Sequence, residues 1–320
     1  MAEMDAVEKE KTSGERKARD GAELPPGSPF GGKIGVIGGM GEMGRLFAGF
    51  FRDRGYEVEV ADVGVGRSNE EVVRDSDIVL FAVPLHLTEQ IIGGLIPCTR
   101  PGQLLMDLTS LKAGPVREML RSPASVVGLH PMFGGRTSSF VGQTIAACPA
   151  RIDPSAWKQL RGLFAGAGLR VKECSPEEHD RMMSFIQVLF HMTTMLIGRL
   201  LRETGVNIDD TLEFTSPSYR IEMSLLGRIF AQNGSLYSAI TMMNPNTRDL
   251  IEMFRSGLDA YEKWYDTKDL DAFVSDFDLS ARHLGDFCRR AFGESSAILD
   301  FAVKWAAERE ARGNDRESQS

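Results

Sequence analysis

The sequence contains few cysteines, and they are not arranged for a shared role. The four of them lie far apart, with no CxxC pair and no Cys/His cluster: Cys98, Cys148, Cys174 and Cys288. A zinc site or a disulfide framework requires such clustering. We therefore expect free thiols, no metal site and a reducing, cytoplasmic location.

Long apolar runs are also missing. No unbroken run approaches the roughly 18 residues needed to cross a bilayer, so we expect no membrane association. The first thirty residues contain no apolar core of a signal peptide. We expect residues 1–31 to form a disordered polar tail and residues 309–320 to form a second, charged tail.

Positive charge does not dominate the chain. The formal net charge is −8, which disfavours a nonspecific nucleic-acid partner but leaves room for a local basic pocket. The length of 320 residues is enough for two domains.

Between residues 32 and 174, short apolar runs alternate with amphipathic stretches. This pattern is typical of βα units around a largely parallel sheet. The strands are predicted at residues 33–37, 56–61, 77–83, 104–106, 125–129, 144–147 and 169–172. After Cys174 the pattern becomes helical, beginning with a helix of about 27 residues that Ser175 and Pro176 open. The fold class is therefore α/β, with an N-terminal Rossmann-type dinucleotide-binding domain (32–174) followed by an all-helical domain (175–308).

A glycine-rich motif follows the first predicted strand. Residues 39–44, GMGEMG, match GxGxxG and open a helix, which is the context of a pyrophosphate-binding loop. Asp62 ends the second strand at a spacing that suits a ribose 2′-hydroxyl and favours NAD over NADP. A glycine turn without a ligand, Asp62 as a turn residue, and Arg67 as a phosphate ligand are the alternatives. The cofactor residues predicted here are Gly39, Met40, Gly41, Met43, Gly44 and Asp62.

Three polar residues stand at the ends of two further predicted strands. His130 follows residues 126–129, where a side chain faces the ligand crevice of an α/β sheet, and its ordinary pKa suits a general base. Ser110 and Lys112 follow residues 104–106 and could present a hydroxyl and a cation to the same crevice. The alternatives are a structural histidine, a helix-capping serine and a solvated lysine.

The long helix carries a polar stripe on an otherwise apolar surface. Ser184, Gln187 and His191 recur at i, i+3 and i+7 and should share one face. Buried polar groups cost free energy unless they are paired, so the stripe indicates either an internal network or a binding site.

A later helix carries two arginines. Arg220 and Arg228 lie on a mostly apolar helix, and two guanidinium groups suit a small dianion. The alternative is a pair of salt bridges to Glu213 and Glu222.

Taken together, these motifs resemble those of the prephenate dehydrogenase family, especially the dehydrogenase portion of its bifunctional members. The resemblance runs in one order from about residue 33 to residue 290. Its matching stretches are GGMGEMG (38–44), VPLHLTEQ (83–90), DLTSLK (107–112), GLHPMFG (128–134), EHD (178–180), FIQ (185–187), SPSYRIE (216–222) and GRIFAQ (227–232).

The resemblance implies NAD-dependent oxidative decarboxylation of prephenate to 4-hydroxyphenylpyruvate in tyrosine biosynthesis. It implies that His130 accepts the hydroxyl proton, that Ser110 stands beside it and that Arg228 holds a carboxylate. It also implies a helical domain that forms a homodimer and inhibition by tyrosine. The remaining residues assigned to the substrate site are Arg220, His191, Gln187 and Lys112, and Val83 and Pro84 join the cofactor site.

The sequence departs from the bifunctional relatives at its start. Only about thirty polar residues precede Lys33, so we expect no mutase activity. We also expect no C-terminal regulatory domain. Three alternative functions stay open. They are an arogenate dehydrogenase, a catalytically silent dinucleotide-binding regulator that should lack His130 or Arg228, and a β-hydroxyacid dehydrogenase, which would need a lysine on the buried helices.

Overall fold

The computed structural model describes the backbone of residues 30–317 and the side chains of residues 30–308. Most of the predicted tail 1–31 lies outside these residues, as do residues 318–320. Two compact units divide between His179 and Asp180, five residues (179 against 174) after the predicted domain boundary.

The first unit alternates strands with helices. Its strands are β1 (Lys33–Ile37), β2 (Glu57–Ala61), β3 (Ile78–Phe81), β4 (Leu104–Asp107), β5 (Ser125–Pro131), β6 (Thr144–Arg151) and β7 (Arg170–Glu173). Its helices are α1 (Glu42–Arg52), α2 (Asn69–Asp75), α3 (Thr88–Leu95), α4 (Ala113–Met119) and α5 (Pro154–Gly166), with short 3₁₀ turns at Leu85–Leu87 and Ile96–Cys98. All seven predicted strands are present, and β5 and β6 extend beyond their predicted ends.

The strands form one sheet in the order β2-β1-β3-β4-β5-β6-β7. All neighbouring pairs are parallel except β5 and β6, which are antiparallel. The order reverses between β1 and β3. Ligands of open α/β sheets bind outside the carboxyl ends of the strands at such a reversal.

Both faces of this sheet are buried because its strands are apolar at successive positions. In β3, Ile78 and Leu80 belong to one core cluster, whereas Val79 and Phe81 belong to the cluster on the opposite face. Side chains alternate between the faces of a strand, so a continuous apolar run covers both. The two cores hold the strand ends in a fixed row.

The carboxyl ends of three strands lie side by side. Ile37 of β1 pairs with Phe81 of β3, and Phe81 pairs with Asp107 of β4. Asp107 in turn pairs with Gly128 of β5. Because β5 continues to Pro131, His130 lies inside the strand and two residues beyond this row, and not after the strand as predicted.

The second unit is helical. Helix α6 (Pro176–Met183), in which the division falls, continues through a π-helical turn (Ser184–Leu189) into α7 (Phe190–Thr204). The other helices are α8 (Ile208–Glu213), α9 (Pro217–Phe230), α10 (Gly234–Met243), α11 (Thr247–Thr267), α12 (Leu270–Leu284) and α13 (Asp286–Glu317). The side chains of Asn207, Ser216 and Asn233 cap α8, α9 and α10.

Two features of this unit differ from the sequence prediction. The π-helical turn interrupts the predicted single helix, and the backbone of α13 runs to Glu317, into the predicted charged tail. The stretch Pro176–Thr204 spans 29 residues and contains an 18-residue window of mean hydropathy 1.3, so by length and composition alone it could cross a membrane. Core helices of water-soluble proteins meet the same criterion. Mean hydropathy over a window therefore identifies one candidate membrane span, whereas the search for unbroken apolar runs identified none.

Candidate active site

The glycine-rich loop joins β1 to α1. Gly38 has φ +80°, and a Cβ there would lie 2.7 Å from the carbonyl oxygen of Ala82. A Cβ on Gly44 would lie 2.5 Å from the carbonyl oxygen of Gly38. Glycine at these positions therefore lets the loop close tightly on the β3 end, beside Val83. Gly41 is the N-cap of α1 and provides no side-chain cap, so the first N–H groups of the helix are suited to an anion.

Asp62 joins this loop to the end of β2. Its Oδ2 accepts a hydrogen bond from Met40 N at 2.8 Å, and its Oδ1 accepts one from Val63 N at 2.7 Å. Arg67 forms ion pairs with Asp75 at 2.6 Å and with Glu59 at 3.5 Å. The arginine that could favour a 2′-phosphate is therefore held by two carboxylates.

Lys112 is fully buried, which neither the substrate-binding nor the solvated interpretation anticipates. Its Nζ donates to the carboxylate of Asp107 and, at 2.7 Å, to the carbonyl oxygen of Leu129. Thr109 N also donates to Asp107 Oδ2, at 3.0 Å. The ammonium thus ties the end of β4 to the residue before His130. Because Lys112 is itself the N-cap of α4, the half-buried Ser110 does not cap that helix.

His130 and His179 form a buried pair. The Nδ1 of His130 lies 2.9 Å from the Nε2 of His179, and the exposed fractions are 4% and 1%. Burial lowers the pKa of His130 well below that of an ordinary histidine, and the neighbouring His179 and Lys112 lower it further. His130 is therefore neutral near pH 7 and able to accept a proton. His179 is not among the predicted site residues, although it lies in EHD (178–180), one of the matching stretches.

In the helical unit, the π-helical turn lies between the polar residues of the predicted stripe. Ser184 Oγ donates to the carbonyl oxygen of Arg181 at 2.6 Å, so its own helix satisfies it. The His191 ring packs edge to face on Tyr237, with 4.8 Å between centroids. Burial lowers the pKa of His191. Thr241, one turn after Tyr237 on α10, has a buried hydroxyl without a hydrogen-bond partner.

The two predicted arginines lie on α9. Arg220 is half-buried and Arg228 is exposed. Neither forms an ion pair within residues 30–308, so the predicted alternative of bridges to Glu213 and Glu222 is wrong for the described side chains. Burial raises the pKa of Tyr237, and the charge of Arg228 opposes that rise, which places the guanidinium in the electrostatic neighbourhood of Tyr237.

The predicted site residues therefore form two groups. The first unit holds the glycine loop, Asp62, Lys112 and His130, and the second holds Gln187, His191 and the two arginines. Tyr237 was not among the predicted site residues. The only feature of the sequence that could have indicated it is a tyrosine, with its polar hydroxyl, within an otherwise apolar helix. Within residues 30–308, no cluster of histidine, cysteine and carboxylate side chains could hold a metal.

Comparisons with known proteins agree along most of the chain. The model of the prephenate dehydrogenase nucleotide-binding domain matches residues 48–173, and that of the prephenate dehydrogenase dimerization domain matches residues 175–279. The T-protein of Enterobacter agglomerans is 35% identical over 265 residues, which cover 82% of this chain and 70% of that protein. The T-protein of Haemophilus influenzae is 32% identical over 271 residues, covering 84% and 72%.

A solved structure shows the same fold. The prephenate dehydrogenase from A. aeolicus, crystallised with hydroxyphenyl propionate and NAD+, has a TM-score of 0.61 at 18% identity and covers 79% of this chain and 98% of its own. The two matched domains follow each other in the order that the sheet and the helical unit require. The predicted fold class and enzyme class are confirmed, and the chain belongs to the prephenate dehydrogenase family.

Proposed function

We propose that this protein catalyses the NAD-dependent oxidative decarboxylation of prephenate to 4-hydroxyphenylpyruvate. The observation that carries the proposal is the neutral, buried His130. Its Nδ1 lies 2.9 Å from Nε2 of His179. It stands two residues beyond Gly128, the β5 residue that pairs with Asp107 at the end of β4. A neutral imidazole at that edge can take a proton from a substrate alcohol. Family membership supplies the substrate class.

The residues of the first unit suit NAD. A Cβ on Gly39 would lie 2.5 Å from a methyl carbon of Val60, and one on Gly44 would lie 2.5 Å from the carbonyl oxygen of Gly38, so glycine lets the loop pack closely at both positions. The uncapped start of α1 favours a pyrophosphate. Asp62 stands where a carboxylate can accept from a ribose hydroxyl, and Val83 and Pro84 follow the neighbouring strand. NAD, when bound, supplies the hydride acceptor for the reaction.

His130 handles the proton. We assign this to Nε2, the ring nitrogen that does not face His179, and place Ser110 beside it at the substrate hydroxyl. The ring hydroxyl gives its proton to His130 as the carbon that bears it loses a hydride, and the ring carboxylate then leaves as carbon dioxide. The electron pair left behind makes the ring aromatic, and the resulting phenolate oxygen takes a proton back to give the phenol. Aromatisation makes the overall step effectively irreversible.

Lys112 supports His130 through the preceding residue, Leu129. Its contact with the carbonyl oxygen of Leu129 holds the β5 end in place. Burial is the main cause of the lowered pKa of His130, and the charge of Lys112 lowers that pKa further. This positioning role replaces direct substrate binding in our assignment.

The helical unit supplies the groups for the substrate anion. Prephenate carries two carboxylates, and Arg228 and Arg220 are the cations of α9 without an ion-pair partner among residues 30–308. Guanidinium groups bind carboxylates in bidentate fashion. Gln187 and His191, with Tyr237 packed on the His191 ring, complete the proposed substrate set.

We also propose a homodimer. The second unit matches a dimerization domain and exposes many large apolar side chains, among them Phe214, Tyr265, Phe292 and Phe301. Apolar patches of this kind mark association surfaces. Sedimentation of the purified protein should give twice the mass of one chain, which is 35.3 kDa. Inhibition by tyrosine and a cytoplasmic location complete the proposal.

The deciding experiment measures NADH formation at 340 nm with prephenate and, in parallel, with arogenate. Turnover of prephenate with NAD supports the proposal. Preference for arogenate would retain the His130 chemistry but change the substrate. Absence of turnover with both substrates would contradict the proposed activity, provided that the protein is folded.

A further inference from the structure

The connection between β5 and β6 passes directly against the start of α1. A Cβ on Gly135 would lie 2.6 Å from the Cβ of Glu42 and 2.7 Å from its carbonyl carbon. Real Cβ atoms do not approach other heavy atoms so closely, so the connection packs here only because residue 135 is glycine. The next residue, Arg136, places Nε 2.8 Å from Oε1 of Glu42. The strand that carries His130 thus leads, within six residues, to the helix that begins at the glycine loop.

This contact places a negative charge at the start of α1. Glu42 is the first residue of α1, directly after the N-cap Gly41. A carboxylate there interacts favourably with the positive end of the helix. A pyrophosphate seeks the same helix end, so an uncompensated Glu42 would compete with it and repel it.

We propose that Arg136 is a positioning residue for the cofactor. By pairing with Glu42 it cancels the carboxylate charge, so that the pyrophosphate can bind at the N-terminal end of α1. The inference rests on the proposed function, because it concerns NAD binding. Arg136 is 90% exposed on its side chain, and exposed ion pairs add little to folding stability. Arg45, three residues along α1, forms no ion pair with Glu42 in the described chain. The positive charge that pairs with Glu42 is therefore supplied by Arg136, from the β5–β6 connection.

The test is a double-mutant cycle in which each charge is neutralised and NAD binding is measured. Isothermal titration of the full-length protein with NAD, at low and at moderate salt, gives a Kd for the unaltered chain, Arg136→Gln, Glu42→Gln and the double variant. Arg136→Gln should raise the Kd roughly 2- to 10-fold, as expected for one charge at a helix end. Glu42→Gln should not raise it. The double variant should return close to the unaltered value, because the charge that needed cancelling is gone.

The matched control is Arg161→Gln, which removes the exposed pair between Arg161 Nε and Glu173 Oε1, 3.2 Å apart, with the same change in net charge. It should leave the Kd unchanged. An unchanged Kd in Arg136→Gln, or a double variant as weak as Arg136→Gln, would overturn the inference alone. Failure of the unaltered, folded chain to bind NAD would overturn the proposed function and this inference together.

Discussion

The Nδ1 of His130 lies 2.9 Å from the Nε2 of His179, and their rings meet at 69°. His130 is in β5 and His179 is in α6, 49 residues later, and both are almost completely buried. A hydrogen bond at one ring nitrogen decides which nitrogen carries the proton. In the proposed mechanism Nδ1 of His130 donates to Nε2 of His179, which leaves Nε2 of His130 unprotonated and able to act as the base.

Replacing His130 by Asn should remove the proton acceptor while keeping a polar side chain of similar size. We expect kcat with prephenate to fall by roughly 10²- to 10⁴-fold, the usual contribution of a general base. The Kd for NAD should change little. Steady-state kinetics and NAD titration measure the two quantities, and substantial residual turnover would assign the proton to another group.

Replacing His179 should shift the pH dependence of the reaction. His130 works only when neutral, so kcat/KM falls as the pH drops through its pKa. His179 lowers that pKa, and its removal should therefore move the acidic limb of the profile to higher pH.

Two substitutions at His179 separate its effect on the pKa of His130 from its effect on the orientation of the His130 ring. His179→Gln retains a hydrogen-bonding group and should mainly shift the acidic limb. His179→Leu also removes the bond that orients His130, so kcat should fall roughly 10- to 100-fold. If the acidic limb in both variants stayed at the pH observed for the unaltered protein, His179 would not tune the pKa of His130.

Asp62 should determine the choice between NAD and NADP. Asp62→Ala removes the carboxylate that we propose accepts from the ribose hydroxyl and repels a 2′-phosphate. The ratio of kcat/KM for NADP to that for NAD should rise roughly 10- to 100-fold, the value of one or two charged hydrogen bonds. Asp53→Ala, at the other end of α1, is the control and should leave the ratio unchanged.

Removing the buried ammonium should destabilise the first unit. Lys112→Met leaves the carboxylate of Asp107 buried and uncompensated, which costs roughly 3–5 kcal/mol of unfolding free energy. Urea unfolding measures this loss. Combining it with Asp107→Leu should recover much of the loss, because no charge then remains buried. Equal urea midpoints for the unaltered protein and Lys112→Met would contradict the role assigned to the ion pair.

Much of the fold followed from local pattern. Each predicted strand contains a short apolar run between turn residues, and a buried parallel sheet requires such runs on both faces. Ser68 and Glu71, three residues apart, form a capping box at the start of α2, a contact that depends on local sequence spacing alone. The π-helical turn at 184–189 was not visible, because one extra residue per turn changes the stripe formed by Gln187 and His191 without changing the composition.

The sequence by itself determined the order of the elements, the glycine loop and the candidate base, because these depend on residues close together in the chain. Only the tertiary structure decided how those residues are used. The pairing of His130 with His179, the burial of Lys112 under Leu129 and the contact of Arg136 with Glu42 join positions 49, 17 and 94 residues apart. Such contacts depend on how strands and loops pack, and the periodicity of a single segment carries no record of that packing.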